Sequence, residues 1–429
     1  MKLFTVPRMR QVVAALLSSA VLFGALVSPR LAHAAPRLAG QVADWLQGWP
    51  MVGHDPQRTN RSLVAGPAHP RLIFTTTLLA GPVLIGADGS LYGWGQGGLR
   101  ALDSRGQGRW MTPIANIEGG PPALTPHGLL LVNGLVLSGT GAASRAGMAV
   151  LAIGPTGSLR WAIHALPWAP SVGGTFYSST GQPIAMGQSV PLSKGVAPLV
   201  TPTDTLYMPF VGPGASNAGV EVIAPTGRPL QRLLPNVEPD AIAWAQDGTL
   251  YELGHQGLAA LTPTGKLRWD LPVGAAQFLG SLLIGMHGQI YVGDGTAVSA
   301  STASGHHLWR RDVGAVVGAL AERADGVVLV VSAVGLTAVS PRGTRLWRRA
   351  LGRPATTSSF SASIAVDRTG RAYVGSADGM VRAIARNGTV LWTIRAGGPT
   401  SLGVTPSVAL GPQGMLVISG TDGRLRAYR

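Results

Sequence analysis

His54 and Asp55 stand side by side in the stretch GWPMVGHDPQRTNRS, with Arg58, Thr59 and Asn60 close behind. An imidazole beside a carboxylate is the raw material of a general base. Two other polar groupings invite chemistry. Glu238 and Asp240, in EPD, could share a proton or supply part of a metal site, or simply mark a polar loop. His306 and His307 could ligate a metal, but neighbours in a strand point to opposite faces and do not easily chelate one ion. Carboxylates are scarce: fourteen Asp and five Glu in 429 residues. Six of those Asp (Asp88, Asp247, Asp294, Asp325, Asp378, Asp422) precede Gly, a setting in which the side chain bonds its own turn. Neither a GxSxG elbow nor a phosphate-cradling Walker motif is present, so no motif supports acyl or phosphoryl transfer.

The elements that would position these residues show themselves as a repeat. ALDSRGQGRW, AIGPTGSLRW, ALTPTGKLRW, ASTASGHHLW, AVSPRGTRLW and AIARNGTVLW begin at Ala101, Ala152, Ala260, Ala300, Ala338 and Ala383. Each is Ala, four residues, Gly, three residues, Trp, without a gap. A seventh copy, VIAPTGRPLQ, has Val222 for Ala and Gln231 for Trp. Eight turn-and-strand signals such as DGSLY, DGTLY and HGQIY accompany these copies, as hairpins require. The last unit ends at Ala427 without a Trp strand, while HPRLIFTTTL near the other terminus has Phe74 in the Trp place and no earlier part of a repeat before it.

Eight units of roughly 40 residues with four short strands each predict an all-β, eight-bladed β-propeller in which the N-terminal strand completes the last blade. Pairing the termini covers the edge and the apolar face that an open array would expose. In this arrangement Phe74, Trp110, Trp161, Trp269, Trp309, Trp347 and Trp392 are core residues packing on the neighbouring blade. Gly106, Gly157, Gly227, Gly265, Gly305, Gly343 and Gly388 turn the chain between third and fourth strands, and the small Ala leaves room for the ring.

Residues 1–34 read as a secretory signal peptide: Lys2, Arg8 and Arg10, then an apolar run over 12–27, then Ala32-His33-Ala34 as a cleavage site. The run falls short of a membrane-spanning helix, which needs about 20 apolar residues. The expected organisation is a lead segment, 35–66, packing on a propeller over 67–429, in a chain that is secreted, periplasmic or cell-surface and monomeric. Cys is absent, so no disulfide braces an exported chain and no lipid-bearing Cys follows the signal. The formal charge of +15 suggests attraction to anionic polymers, with no motif for a specific nucleic acid.

The tandem copies resemble the PQQ-like, or quinoprotein-type, propeller repeat. That repeat occurs in pyrroloquinoline quinone (PQQ)-dependent alcohol dehydrogenases and in the propeller lipoprotein of bacterial outer-membrane barrel assembly. The dehydrogenases hold their quinone under a vicinal disulfide beside a calcium or lanthanide ion, and this chain cannot form that disulfide. The lead segment is similar to Trp-Pro, His-Asp segments in other exported propellers. The resemblance implies a structural role for Trp49, His54, Asp55 and Arg58, in which the polar groups satisfy one another and nearby backbone.

Repeat spacing breaks between Trp161 and Gln231, where residues 166–195 form an insertion assigned to an enlarged third blade. Trp168, Phe176, Tyr177 and Lys194 within it are candidate binding residues, since aromatic and small polar side chains make adaptable recognition surfaces. The same unit has lost its Trp and is expected to be freed from the packing rule. The reading is a non-enzymatic scaffold for a partner protein or an anionic cell-surface polymer, without cofactor or metal. The competing class is catalytic: a quinoprotein-like oxidoreductase using PQQ with calcium, or a carbohydrate-active propeller enzyme.

Overall fold

The computed structural model describes residues 40–114, 121–138, 145–170, 176–177, 183–184, 197–210, 218–234, 237, 239–254, 257–273, 281–352, 363–399 and 405–429. Eight four-stranded antiparallel sheets follow one another around a central axis. They occupy 80–113, 123–170, 199–233, 239–271, 282–312, 317–349 and 364–395, and the eighth joins 407–428 to the strand Leu72–Thr76. First strands of successive blades lie side by side around the axis, so each first strand is the inner edge of its sheet and each fourth the outer edge.

The ring closes as its repeat arithmetic requires. Leu72–Thr76 pairs antiparallel with Leu425–Tyr428, and Phe74 stands opposite Ala427. The same opposition recurs in the other blades: Ala101 faces Trp110, Ala152 faces Trp161, Ala260 faces Trp269 and Ala300 faces Trp309. A β-bulge follows that alanine in each of these ladders, giving the outer strand the extra twist that brings it over the next blade.

What the aromatic ring meets there explains the spacing. Gly305 has φ +84°, and a Cβ on it would sit 2.7 Å from the Trp269 ring of the preceding blade. A side chain at this position would meet both a left-handed backbone and an occupied space. Trp110 over Gly157, Trp161 over Gly227, Trp309 over Gly343 and Trp347 over Gly388 repeat the contact, and Phe74 over Gly106 carries it across the closure. Each of these indoles also donates Nε1–H to the carbonyl two residues before that glycine, as in Trp269 to Ala303 at 2.9 Å and Trp309 to Pro341 at 2.9 Å. Tyrosines of the second strands support the rings at 5.6–6.2 Å between centroids in four blades.

The repeat tryptophans lie half-buried on the outer strands and pack against the neighbouring blades, as the repeat predicts. Two expectations are corrected. The third blade is not freed from the packing rule. Gln231 Nε2 donates to Pro263 O at 2.7 Å, as the missing indole would, and Leu233 fills the space over Gly265. The head of the insertion, 166–170, belongs to the second blade: its outer strand Leu159–Pro170 is lengthened to pair with Arg145–Ile153.

Two glycines of blade 5 separate the backbone from the packing contribution. Gly288 also has positive φ, but nothing lies within 4 Å of a Cβ there. Gly288→Ala should cost the backbone strain alone, about 1–2 kcal/mol. Gly305→Ala should cost about 1–3 kcal/mol more, because the Trp269 ring must move. Equal losses in urea denaturation would remove the ring–glycine contact as the reason for the spacing.

Candidate functional site

Inner edge strands present backbone N–H and C=O groups toward the axis, and buried groups of this kind must find partners. The lead segment supplies them, visiting the blades in chain order. Trp49 exchanges two hydrogen bonds with Ile85 of blade 1, at 2.7 and 3.0 Å, and Pro50 O accepts from Leu124 N of blade 2 at 2.7 Å. Pro56 O accepts from Trp244 N of blade 4 and Gln57 O from Ile284 N of blade 5, both at 2.9 Å. Thr59 O accepts from Glu322 N of blade 6 at 3.0 Å, and Asn60 O from Val366 N of blade 7 at 2.8 Å. Val64 then packs on the cluster that holds Leu410 and Leu416 of blade 8.

Blade 3 is reached by a side chain. Arg58 Nη2 donates to Ala197 O at 2.8 Å and Pro198 O at 3.1 Å, Nε to Ile242 O of blade 4 at 3.1 Å, and Nη1 to Val52 O. Burial pulls its guanidinium down to about 10, against the opposing pull of Asp55. His54, Arg58 and Asn60 all hold positive φ, at 73°, 62° and 52°, a strain of about 1 kcal/mol or more each. Anchored side chains hold them there: Asn60 Nδ2 donates to Leu320 O at 2.8 Å, and His54 Nε2 lies 3.1 Å from Leu46 O.

The His54-Asp55 pair is therefore occupied. His54 is 1 % exposed, with Nδ1 3.4 Å from Asp55 Oδ2 and its ring edge-on to Trp49 at 4.9 Å. Asp55 accepts from the Thr59 backbone at 2.9 Å and from the Thr59 hydroxyl. Burial pushes the Asp55 carboxyl up, but His54 and Thr59 outweigh it and hold the group below the usual carboxylate range. Both functions of a general base, an accessible lone pair and a free orienting carboxylate, are spent on the turn.

Above this hub the channel holds a cavity of about 520 Å³, lined by the hub residues Trp49, Arg58 and Asn60 and by Asp240, Ile242, Leu282, Leu320, Ile364 and Val408. Behind its wall, Glu252 stands opposite Ile242 in the second strand of blade 4, 3 % exposed. Burial, and then the charge of Asp240, push its carboxyl up to about 8. Glu322 is fully buried, accepts twice from Met286 N at 2.9 and 3.1 Å, and pairs with Arg61 at 3.3 Å. Burial wins over Arg61 and raises it to about 7.

Glu252 was legible, had the repeat been read column by column. It takes the place held elsewhere by Gly93, Val132, Met208, Val292, Val330, Val374 and Ile418. Of the other sequence candidates, Asp240 reaches the cavity while Glu238 lies outside the described residues. His306 and His307 are exposed on an outer edge far from it. Lys194 lies outside the described residues. Trp168 falls in the strand Leu159–Pro170 and Phe176 and Tyr177 form a short strand of their own, but their side chains lie outside the described residues.

Among the described residues, the cavity lining offers no donor set for a tricarboxylate quinone with its divalent cation. Arg58, the cation lining the cavity, has its guanidinium committed to four carbonyls. Among the described residues no three His, Cys, Asp or Glu side chains group to hold a metal.

The fold and channel define a closed eight-bladed propeller of PQQ-like repeats. The family model described as outer membrane protein assembly factor BamB matches residues 220–370 and 254–428, which are repeats of the second half of the chain. No match was found among curated protein sequences. BamB from Moraxella catarrhalis superposes with a TM-score of 0.57 at 15 % identity, over 84 % of this chain and 99 % of that one. The Dos1 propeller superposes with a TM-score of 0.59 at 10 % identity, over 84 % of this chain and 95 % of that one. At such identities the likeness is one of fold.

Two outcomes test the hub and its buried acids. Arg58→Ala leaves three inner-edge carbonyls and that of Val52 without this donor and should cost roughly 3–5 kcal/mol in urea denaturation; a loss below about 1 kcal/mol, the worth of one ordinary hydrogen bond, would contradict the hub. Glu252 binds its proton more tightly folded than unfolded. Its contribution is therefore complete below the unfolded value near 4.5 and is lost as pH rises through about 8. Glu252→Gln should leave stability at pH 4 almost unchanged and raise it at pH 9 by up to about 1.4 kcal/mol for each unit of the displacement. Parallel pH profiles for the two proteins would rule this out.

Proposed function

We propose that the protein is an extracytoplasmic scaffold that holds a partner protein, on the periplasmic or cell-surface side of a bacterial envelope. The observation that carries this reading is the division of the molecule into a stoppered axis and an open rim. One end of the channel is filled by the chain's own lead segment, whose polar groups are spent on inner strands. Blades 2 to 7 each turn an outer strand outward, carrying Leu159, Leu230, Leu267, Leu308, Leu346 or Leu391 at 45–56 % exposure. Contiguous apolar surface rimmed by polar residues marks sites of protein–protein contact. The assembly-factor description of the matching family supports an envelope role, and among the described residues no helix is long and apolar enough to cross a membrane.

Photo-crosslinking residues placed at Leu230, Leu267 and Leu346 in the native cell test this reading. Discrete adducts with an envelope protein are the expected result, compared with a chain lacking 172–194 to show whether the insertion contributes. Absence of adducts at all three positions, together with catalytic turnover on an alcohol or glycan substrate, would replace the scaffold by an enzyme.

A further inference from the structure

Outer strands are unpaired sheet edges, and five of the eight carry a proline or an acid. Pro113 ends the strand of blade 1, Pro167 and Pro170 interrupt that of blade 2, and Pro229 opens that of blade 3. Asp270 and Asp312 place an acid in those of blades 4 and 5. The strand Val390–Arg395 of blade 7 has a single charge at its end, and Leu72–Thr76 has none. Arg345–Arg349 of blade 6 differs: Arg-Leu-Trp-Arg-Arg, three cations with neither proline nor acid.

Each side chain of that strand has a determined direction. Arg349 leans toward blade 7, donating Nε–H to Gly388 O at 2.8 Å, on the side where Trp347 packs. A β-bulge between Arg345 and Trp347 interrupts the alternation, so Arg345, opposite Val339, does not share the Trp347 side. Arg348 turns to the other side, toward Gly314 at the entry to the blade. Leu346, on that side too, is 51 % exposed, and Leu308 of the adjacent outer strand is 45 % exposed. Among the described residues Arg342, Arg345 and Arg348 form no ion pair, and nothing covers this edge.

Cations on an edge strand prevent a second copy from pairing with it, because like charges would face each other. The same charges select an opposite one. We infer that the outer edge of blade 6 accepts an acidic, extended segment of a partner protein, which adds to the sheet as a fifth strand. The inference rests on the scaffold reading and names its surface. Arg349 meets an acid on one face of the incoming strand, Arg345 and Arg348 meet acids on the other, and an aliphatic side chain covers Leu346. Backbone hydrogen bonds supply affinity and the side chains supply register. A phosphate polymer would neutralise the arginines but leave the strand edge and both leucines uncovered. A lipid surface would leave the edge N–H groups without partners.

The probe is a fluorescein-labelled peptide containing Glu-Glu-Thr-Val-Glu, titrated into the full chain by fluorescence anisotropy at low salt. Saturable binding is expected, lost when Lys replaces Glu and weakened about tenfold or more in Arg345→Glu/Arg348→Glu/Arg349→Glu. Alternate N-methylation of the peptide backbone should abolish binding. Circular dichroism of the triple variant should match the parent, with melting lowered only by the loss of the Arg349 bond to Gly388, worth about 0.5–1.5 kcal/mol, since the exposed Arg345 and Arg348 substitutions shift stability by about 0.5 kcal/mol or less each. Unchanged affinity in a folded triple variant, or full binding by the N-methylated peptide, would overturn strand addition here. Co-sedimentation with phosphatidylglycerol vesicles in place of peptide binding would overturn it in favour of a membrane. Crosslinks from Leu267 that persist in the triple variant would preserve the scaffold and refute this surface alone.

Discussion

Eight inner strands, each with one unpaired edge facing a common axis, set the constraint on which this molecule depends. A propeller channel is too confined for every such edge to be solvated freely and too wide for the blades to pair across it. The segment 49–66 resolves this by running around the axis as a backbone partner, giving one blade after another the donor or acceptor it lacks. Where the backbone does not reach, in blade 3, Arg58 extends the same function with its guanidinium. Polar residues that resemble a catalytic cluster are thus the means by which a strained ring of chain is held, with the positive φ of His54, Arg58 and Asn60 as its cost.

The outer seams obey a second, simpler rule. A flat ring from one blade lies on the bare α-carbon of the next, and its N–H finds a carbonyl two residues away. Because the contact is between consecutive blades, a change in one place must be compensated in the same seam. Gln231 and Leu233 show how: one supplies the hydrogen bond, the other the volume. Inner hub and outer seams are independent in chemistry, and together they fix blade spacing from both sides.

Much of this was written in the sequence. The period, the Ala-Gly-Trp spacing and the placement of Phe74 opposite Ala427 are side-chain signatures, and each maps directly onto a strand or a contact. The structural character of His54 and Asp55 was legible from the company they keep. The path of the lead segment was not, because its partners are main-chain atoms of Ile85, Trp244, Ile284 and Val366, which any residue could provide. The compensation at Gln231 escaped notice because it is shared between residues two apart, in positions the motif does not compare. Glu252 was visible only as one acid in a column of apolar residues. The extended edge of the second blade was hidden by an insertion whose pairing partner, Arg145–Ile153, is lengthened too.

The hub accounts for stability of the whole ring only if its hydrogen bonds open when the ring opens. Hydrogen exchange of the amides of Leu124, Trp244, Ile284, Glu322 and Val366, followed across low denaturant concentrations, reads this directly. A ring locked from its axis predicts that these five amides, on five different blades, exchange together and only through global unfolding. Exchange at unequal rates through small local openings, with the rest of the propeller intact, would contradict it.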